Sequence, residues 1–547
     1  MTTPHPSGTT SWRLRESRWP KDDSVALVDH TVGSLLTERA TEQPGALALV
    51  GTAHGTDDER RLTYAELHAE ACQVARALLR RVRPGDFVAL WAPNVVEWPI
   101  VQYGAALAGV TLVALNPVLR QHDLAYALDN SRAALLLHAE WSRDYDMSAV
   151  VAEVRGERKQ LREVISLAEW DEFLVSGDAS ASLPSPAPDD PVMLQYTSGT
   201  TGLPKGVLLR HRSLVNVAKL TMETAEITRG AVCVNPLPMF HTAACVIGTL
   251  GPLWLGGCEV LVERFAPGPV LEQLAREDAS VLFSVPTVLG ALLEAVRSGA
   301  AAAHALRTVL VGAANAPRVM IEGAERVFGA AVHNLFGQTE LAPVLAMTRR
   351  SDTRDDIVTT VGRPLPQVEC MIVDPATGEV QPLGVPGEIC ARGYQQLIEY
   401  LHQPEETAKT VDADGWVHTG DLGAMDERGM ITLTGRLKDI IIRGGENIAP
   451  AEIESCLAEH DSVLEAAVVG IPDEKWGETV GAAVRVRGEV TCGLRAELER
   501  HCGRWLAPYK VPQHWYLAEE LPVTPSGKVQ KFKLTEAAAD GALPPLP

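Results

Sequence analysis

Apolar positions along this chain of 547 residues recur in two alternating rhythms. In residues 63–81, Leu67, Ala71, Val74, Leu78 and Leu79 fall at helical spacing and share one face. Residues 86–92 and 111–114 are short continuous apolar runs of buried-strand length, with a helix-length segment, 98–108, between them. Residues 135–138, Leu-Leu-Leu-His, add another core strand. Helices alternating with short apolar strands predict α/β layers around a largely parallel sheet. The longest apolar stretch, 99–118, is broken by Gln102, Thr111 and Asn116, with glycines at 104 and 109. It reads as a buried helix followed by a strand, not as a membrane span.

Residues 176–191, rich in Ser, Ala, Pro and Asp, form a loop or linker, after which the α/β rhythm resumes to about 345. Beyond Val361, Pro and Gly punctuate short strands at 369–373, 387–391 and 430–434, predicting a smaller β-rich subdomain. From Asp439 on, a helix (451–458), two strands (465–469 and 481–486) and a helix (493–502) make a compact piece of domain size. The expected fold is therefore α/β: a large N-terminal domain of layered α/β subdomains plus the β-rich subdomain, and a small α+β C-terminal domain.

Composition narrows the function classes. Hydrophobic residues at 46% and charged residues at 22% suit a soluble globular enzyme. A net charge of −21 argues against a nucleic-acid partner or an anionic membrane surface, since both need a basic footprint. The nine scattered cysteines contain no C-x-x-C pair and read as free thiols in a reducing compartment. The polar opening, residues 1–10, carries no apolar h-region, so no signal peptide is expected and a cytoplasmic location is. Oligomeric state stays open, a homodimer included.

The sharpest motif is Tyr196-Thr197-Ser198-Gly199-Thr200-Thr201-Gly202-Leu203-Pro204-Lys205-Gly206. It lies between two apolar runs, 192–194 and 207–209, which predicts a hairpin loop. It is not a Walker A loop, because Pro204 stands where that loop needs its second glycine. The chemistry is comparable. Glycines let backbone N–H groups turn inward around an anion, hydroxyls add donors, and Lys205 adds a charge.

This stretch resembles the phosphate loop of the adenylate-forming superfamily: acyl- and aryl-CoA synthetases, amino-acid adenylation domains and beetle luciferase. The resemblance runs from about 30 to 532, with further motifs in the family's order. It implies a two-step reaction: a carboxylic acid and ATP give an acyl adenylate and pyrophosphate, and a thiol then takes the acyl group. It implies ATP, Mg²⁺ and coenzyme A, and a loop at Thr197, Ser198, Gly199, Thr200, Thr201 and Lys205 that holds phosphates. Asn334-Leu335-Phe336-Gly337-Gln338-Thr339-Glu340 is similar to the adenine and metal segment. There Asn334, Phe336 and Gly337 would pack on adenine, Thr339 would contact the α-phosphate and Glu340 would bind the metal. A carboxylate beside a hydroxyl is also a reasonable hard-cation pair in its own right. Phe336 stands where the family more often has Tyr; stacking survives that change, a hydroxyl hydrogen bond does not. Gly312-Ala313-Ala314 resembles the loop on the other side of adenine and the acyl pocket. His418-Thr419-Gly420-Asp421 and Gly435-Arg436 resemble the ribose segment, with Asp421 and Arg436 as contacts. Lys438 falls on the hinge position, which divides the chain into an N-terminal domain, 1–437, and a mobile C-terminal domain, 438–547, that alternates between the two half-reactions. Lys528, in Pro525-Ser526-Gly527-Lys528, corresponds to the lysine that stabilises the forming acyl phosphate.

Coenzyme A is expected as the thiol because Arg443-Gly444-Gly445-Glu446-Asn447 resembles the CoA-ligase form of its segment. Gly444, Gly445 and Glu446 would line the pantetheine passage, where absent side chains let it approach backbone. No acid stands in Pro238-Met239-Phe240-His241-Thr242 to hold a substrate ammonium, which argues against an amino acid. His241 would lie near the substrate carboxylate, with Ala243, Ala244, Gly312 and Gln338 around the acyl group. Small walls suit a medium-chain, alicyclic or other bulky apolar acid, with a natural-product pathway among the settings. Three alternatives stay open at this point: an acyl-AMP ligase loading a carrier-protein thiol, an enzyme performing only the thioester step on a preformed adenylate, and a nucleotide-binding pseudoenzyme.

Overall fold

The computed structural model describes residues 13–156, 158–197, 204–312, 316–444, 446–488, 490, 493–523 and 529–547. They divide into two compact units. The larger is formed by Trp19–Cys370 and Ala391–Val417; the smaller by the segment ending at Arg18, Met371–Cys390 and His418–Pro547.

Two sheets dominate the larger unit. One has seven strands in the order Glu399–Tyr400, Lys205–Arg210, Pro191–Thr197, Thr111–Leu115, Phe87–Trp91, Leu135–His138 and Glu163–Ser166. From Pro191–Thr197 to Glu163–Ser166 its neighbours pair in parallel. The other has nine strands and a parallel centre: Ala331–Phe336, Thr308–Val311, Val281–Ser284, Val232–Asn235, Cys258–Leu261 and Leu47–Thr52. The central parallel strands Thr111–Leu115, Leu135–His138, Val281–Ser284 and Thr308–Val311 are mainly apolar and buried along their length, as expected of strands covered on both faces. The strands expected at 86–92, 111–114 and 135–138 are present within a residue of their predicted ends, and the apolar run 192–194 extends to the strand Pro191–Thr197.

The helix predicted over 63–81 runs Tyr64–Leu79. Thr63 starts it with a capping box: its hydroxyl accepts from the Glu66 N–H, and the Glu66 carboxylate accepts from the Thr63 N–H. Leu67, Ala71, Val74 and Leu78 are all buried. Against it packs Glu97–Ala108, apolar all round and buried almost throughout. The two helices meet at Gly104, where a Cβ would stand 2.4 Å from a Val74 methyl. Among the described residues no helix is long and apolar enough to cross a membrane.

The smaller unit contains most of a five-stranded sheet in the order Arg18–Trp19, Val368–Val373, Gly387–Gly393, Val417–Met425 and Ile431–Arg436, the β-rich region expected from Pro and Gly punctuation. Its C-terminal part is built on a long hairpin, Val463–Asp473 with Gly477–Val486. Both strands outrun the predicted 465–469 and 481–486, because both faces of the hairpin are covered. Val468, Val480, Ala482 and Val484 pack with the helices Pro450–Ala458 and Leu494–Trp505. Ala467, Val469, Ile471 and Ala483 pack with Leu521 and Leu534. Alternate residues thus face two small cores.

Candidate functional site

In the larger unit, the candidate residues follow the carboxyl ends of parallel strands. Thr197 ends Pro191–Thr197, the His241 loop follows Val232–Asn235, Gly312 follows Thr308–Val311, and Gly337 to Glu340 follow Ala331–Phe336. Ligands of open α/β sheets bind at such ends.

The phosphate loop springs from the predicted hairpin, with Thr197 paired to Lys205. Tyrosines brace its two feet. The Tyr126 hydroxyl donates to the Pro204 carbonyl at 2.8 Å, and the Tyr196 hydroxyl lies 2.9 Å from the Ala127 carbonyl. Lys205 Nζ sits 2.5 Å from Glu406 Oε2, and Lys409 Nζ lies 2.6 Å from Glu406 Oε1. Hydrogen bonds from Lys205 and then Lys409 hold the Glu406 carboxyl down to about 2. Lys205 Nζ also lies 4.9 Å from the centre of the Tyr400 ring. On the other side, the Tyr400 hydroxyl donates to Glu340 Oε1 at 2.7 Å. Burial, and then the charge of Glu340, drive the Tyr400 phenol far above its ordinary range, so it keeps its proton. Glu340 lies in a short turn, Thr339–Leu341, whose Glu340 carbonyl accepts from the Leu397 N–H at 2.9 Å. Thr339 and Glu340 are buried.

Asn334 is 2% exposed; its Nδ2 donates to the Ile357 carbonyl at 2.5 Å, while Oδ1 has no partner among the described residues. A buried acceptor left open costs free energy unless a donor arrives, and an exocyclic purine amine is such a donor. Gly337 is dictated by backbone, since a Cβ there would stand 2.0 Å from the Pro343 carbonyl oxygen. Gly312 is different: among the described residues the nearest atom to a Cβ would be the Leu335 carbonyl oxygen at 3.8 Å, an ordinary van der Waals contact. Phe336 and Gln338 are half-buried.

His241 precedes a π-helix, Ala243–Gly248, a wide turn often found at functional sites. Neighbouring side chains hold this segment. Asn94 Nδ2 donates to the Leu237 and Val262 carbonyls, and Asn94 Oδ1 accepts from the Met239 N–H at 2.8 Å. Gln102 Nε2 donates to the Cys245 carbonyl at 2.8 Å. At the far end, Glu259 Oε1 accepts from Asn235 Nδ2 at 2.8 Å and Thr249 Oγ1 at 3.1 Å. Burial lifts the Glu259 carboxyl to about 8, so it is held neutral at ordinary pH. Ala243 is half-buried; Ala244 is wholly buried in the protein.

The smaller unit carries the remaining candidates. Asp421 and Arg436 are directly paired across adjacent antiparallel strands, with Arg436 Nε 2.8 Å from Asp421 Oδ1. The turn before Asp421 is clamped: Gly420 N–H donates to Glu388 Oε1 at 3.0 Å, and Thr419 Oγ1 donates to the Ile389 carbonyl at 2.7 Å. Gly420 has φ +69°, the left-handed region that favours glycine. Lys438 sits in the turn Leu437–Asp439, and burial, then the charge of Arg436, pull its ammonium below the ordinary value. Gly444 has φ +58° and a Cβ there would stand 2.6 Å from the Trp476 ring; its N–H donates to the Trp476 carbonyl at 2.7 Å. Arg443 and Lys475 each approach the Trp476 ring centre at 4.7 Å. Glu446 is exposed on the facing strand.

Ser198, Gly199, Thr200, Thr201, Ala313, Ala314, Gly445 and Lys528 lie outside the described residues. Sequence reasoning missed Tyr400, Glu406, Trp476, Asn94 and Gln102. Pro404-Glu405-Glu406 is a helix-start signal that marks the helix Pro404–Thr410, yet nothing in it points to Lys205. The site chemistry fits Mg²⁺: Glu340 offers a hard carboxylate oxygen, and a single carboxylate joined by phosphate oxygens and water is a usual magnesium environment.

Residues 36–401 match the AMP-binding enzyme family, and residues 452–528 match the AMP-binding enzyme C-terminal domain. The chain is 35% identical over 540 residues to a protein of Bacillus subtilis (strain 168) named putative acyl-CoA synthetase YngI, covering 93% of this chain and 97% of that one. It is 35% identical over 528 residues to the 3-[(3aS,4S,7aS)-7a-methyl-1,5-dioxo-octahydro-1H-inden-4-yl]propanoyl:CoA ligase of Rhodococcus jostii (strain RHA1), covering 92% and 99%. The crystal structure of ATP-bound MatB from Rhodopseudomonas palustris superposes with a TM-score of 0.84 at 28% identity, over 94% of this chain and 99% of that one. With both parts of the family matched over most of its length, the chain belongs to the AMP-binding, adenylate-forming enzyme family and is an AMP-forming acid–thiol ligase.

Proposed function

We propose that this protein is an acyl-CoA ligase that activates a bulky apolar carboxylic acid with Mg²⁺-ATP and transfers it to coenzyme A. The observation that carries the reading is the cluster of Lys205, Tyr400 and Glu340 beside the phosphate loop. It sets a cation for phosphate and a carboxylate for a metal on either side of one tyrosine. Magnesium held by Glu340 would supply charge neutralisation on the phosphates. In the first half-reaction a substrate carboxylate oxygen attacks the α-phosphorus, the bond to the β-phosphate oxygen breaks, and pyrophosphate leaves. Lys205 and the loop hold the departing phosphates, Asn334 accepts from the adenine amine, and Asp421 with Arg436 engages the ribose. Lys528 adds a positive charge as the acyl phosphate forms. Such chemistry needs positioning more than covalent help. In the second half-reaction the CoA sulfur attacks the acyl carbonyl carbon, and the bond to the AMP oxygen breaks.

Coenzyme A is favoured over a carrier thiol by the smaller unit's surface. Trp476 is 38% exposed and flanked by two cations, a face that suits a phosphorylated purine nucleotide. Gly444 keeps the adjoining backbone free of a side chain. The absent side chain of Gly312 and the short one of Ala243 favour a wide acid, and the Rhodococcus relative is named for an octahydro-indenyl propanoyl acid. His241 would close the carboxylate end. We place the hinge at Lys438, with 1–437 and 438–547 as the parts that move, and the protein in the cytoplasm, in keeping with eight free cysteines among the described residues.

The test is incubation with Mg²⁺-ATP, CoA and a pool of carboxylic acids, reading acyl-AMP and acyl-CoA together by mass spectrometry. ATP-dependent acyl-CoA from a bulky acid is the expected result. Acyl-CoA only from supplied acyl adenylates would reject the adenylation half, and a pool consumed only at its short acids would reject the pocket assignment.

A further inference from the structure

Tyr400 touches both halves of the phosphate machinery, and no other described residue is recorded doing so. Its hydroxyl donates to Glu340 Oε1 at 2.7 Å, and its ring faces Lys205 Nζ at 4.9 Å. Its backbone is fixed independently: Tyr400 pairs with Val207, two residues past Lys205, and its N–H donates to Thr407 Oγ1 at 2.9 Å, at the start of the helix that bears Glu406. The ring therefore cannot drift without disturbing the strand that carries Lys205. Glu406 completes the arrangement by holding the Lys205 ammonium at 2.5 Å.

We propose that Tyr400 is a positioning residue that aims the Glu340 carboxylate at magnesium and links that aim to the phosphate-loop lysine. The hydroxyl takes one carboxylate oxygen and so fixes the direction of the group, as the outer partners of metal ligands do. The ring holds the Lys205 ammonium by the attraction of its π face. Triphosphate entering the loop then competes with Glu406 for Lys205, and the lysine leaves the carboxylate while staying near the ring. This inference rests on the reading of Glu340 as the magnesium carboxylate.

The experiment is calorimetric ATP binding to the full-length protein, with Mg²⁺ titrated and, separately, in EDTA. It compares wild type, Tyr400→Phe, Tyr400→Leu and Glu340→Gln, with melting temperatures alongside. Tyr400→Phe keeps the ring and loses the hydroxyl: the Mg²⁺ concentration for half-maximal enhancement rises about 10-fold, while affinity in EDTA is unchanged. Tyr400→Leu shows the same magnesium shift and also a weaker affinity in EDTA. The proposal is overturned if Tyr400→Phe matches wild type while Glu340→Gln shifts the magnesium requirement. It is overturned as well if Tyr400→Phe weakens binding equally with and without Mg²⁺, the mark of a merely structural role. No shift for Glu340→Gln removes the magnesium assignment and this inference with it; wild type that binds no Mg²⁺-ATP removes the ligase reading itself.

Discussion

The phosphate cluster of the larger unit and the Asp421–Arg436 pair of the smaller one hold similar charges by different means. Lys205, Glu340 and the Tyr400–Glu406 segment come from three distant stretches and meet only because Glu399–Tyr400 adds to the sheet edge at Lys205–Arg210. Asp421 and Arg436 face each other across a single hairpin. The first cluster depends on the whole unit being folded, and each member restrains another. The second is local, with Asp421 buried and Arg436 40% exposed, so the arginine end of the pair reaches the surface. The lesson is that the long-range cluster is suited to fixed geometry around a metal and phosphates. The hairpin pair offers its arginine where a ligand group can reach it.

Variants separate these behaviours. The largest effect is expected from Glu340→Gln, which removes the carboxylate proposed to hold magnesium: pyrophosphate release falls about 100-fold, while acyl-CoA formation from supplied acyl adenylate persists. Loss of both half-reactions together would break the contrast, because the cluster would then be needed for the fold. Asp421→Asn should raise the ATP dissociation constant about 10-fold through a lost charge-assisted bond and leave the melting temperature almost unchanged. A large drop in melting temperature would show that the local pair is structural after all. Gly444→Ala carries a Cβ into the Trp476 ring at a positive φ. It should raise the KM for CoA about 5-fold without altering pyrophosphate release, which a stopped-flow comparison of the two half-reactions reads directly.

The smallest effect sharpens the comparison through pH. Burial raises the Glu259 carboxyl to about 8 in the folded protein. The unfolded chain ionises at about 4.3, so between those values it binds fewer protons than the folded one, and stability contributed by the neutral carboxyl falls as pH rises. Glu259→Gln removes that loss while its amide oxygen can still accept from Asn235 and Thr249. Its melting temperature relative to wild type should climb by about 2 °C as pH goes from 5 to 8, then level off. A difference independent of pH would show that Glu259 is charged in the fold. No equivalent trend is expected from Asp421→Asn.

What was legible in the sequence follows the same division. The strand pattern, the helix over 63–81 and the hairpin under the phosphate loop are local, set by spacing and turn residues within a few tens of positions. Asp421 and Arg436 were named by resemblance, and their pairing across one hairpin came with the structure. Tyr400 escaped because a two-residue strand has no periodicity, and its pairing with Val207 is a tertiary event. Trp476 escaped because a tryptophan in a polar turn says nothing of the two cations that flank it until the hairpin closes. Gly337 and Gly312 read alike as letters, yet one answers to the Pro343 carbonyl and the other meets only ordinary contact with Leu335 among the described residues. Asn94 and Gln102, which hold the His241 segment, lie more than a hundred positions from the carbonyls they serve.

The layered α/β class was set by apolar rhythm, which acts over short range, while the order of the motifs and the residue types of an adenylating site were read from resemblance to the family. Only the tertiary structure decided which of those side chains meet. It joined Lys205 to Glu406 and Glu340 to Tyr400, left Asn334 Oδ1 buried with no partner among the described residues, and held Glu259 neutral. Those outcomes depend on desolvation and distance between strands remote in the chain, quantities that no local pattern encodes.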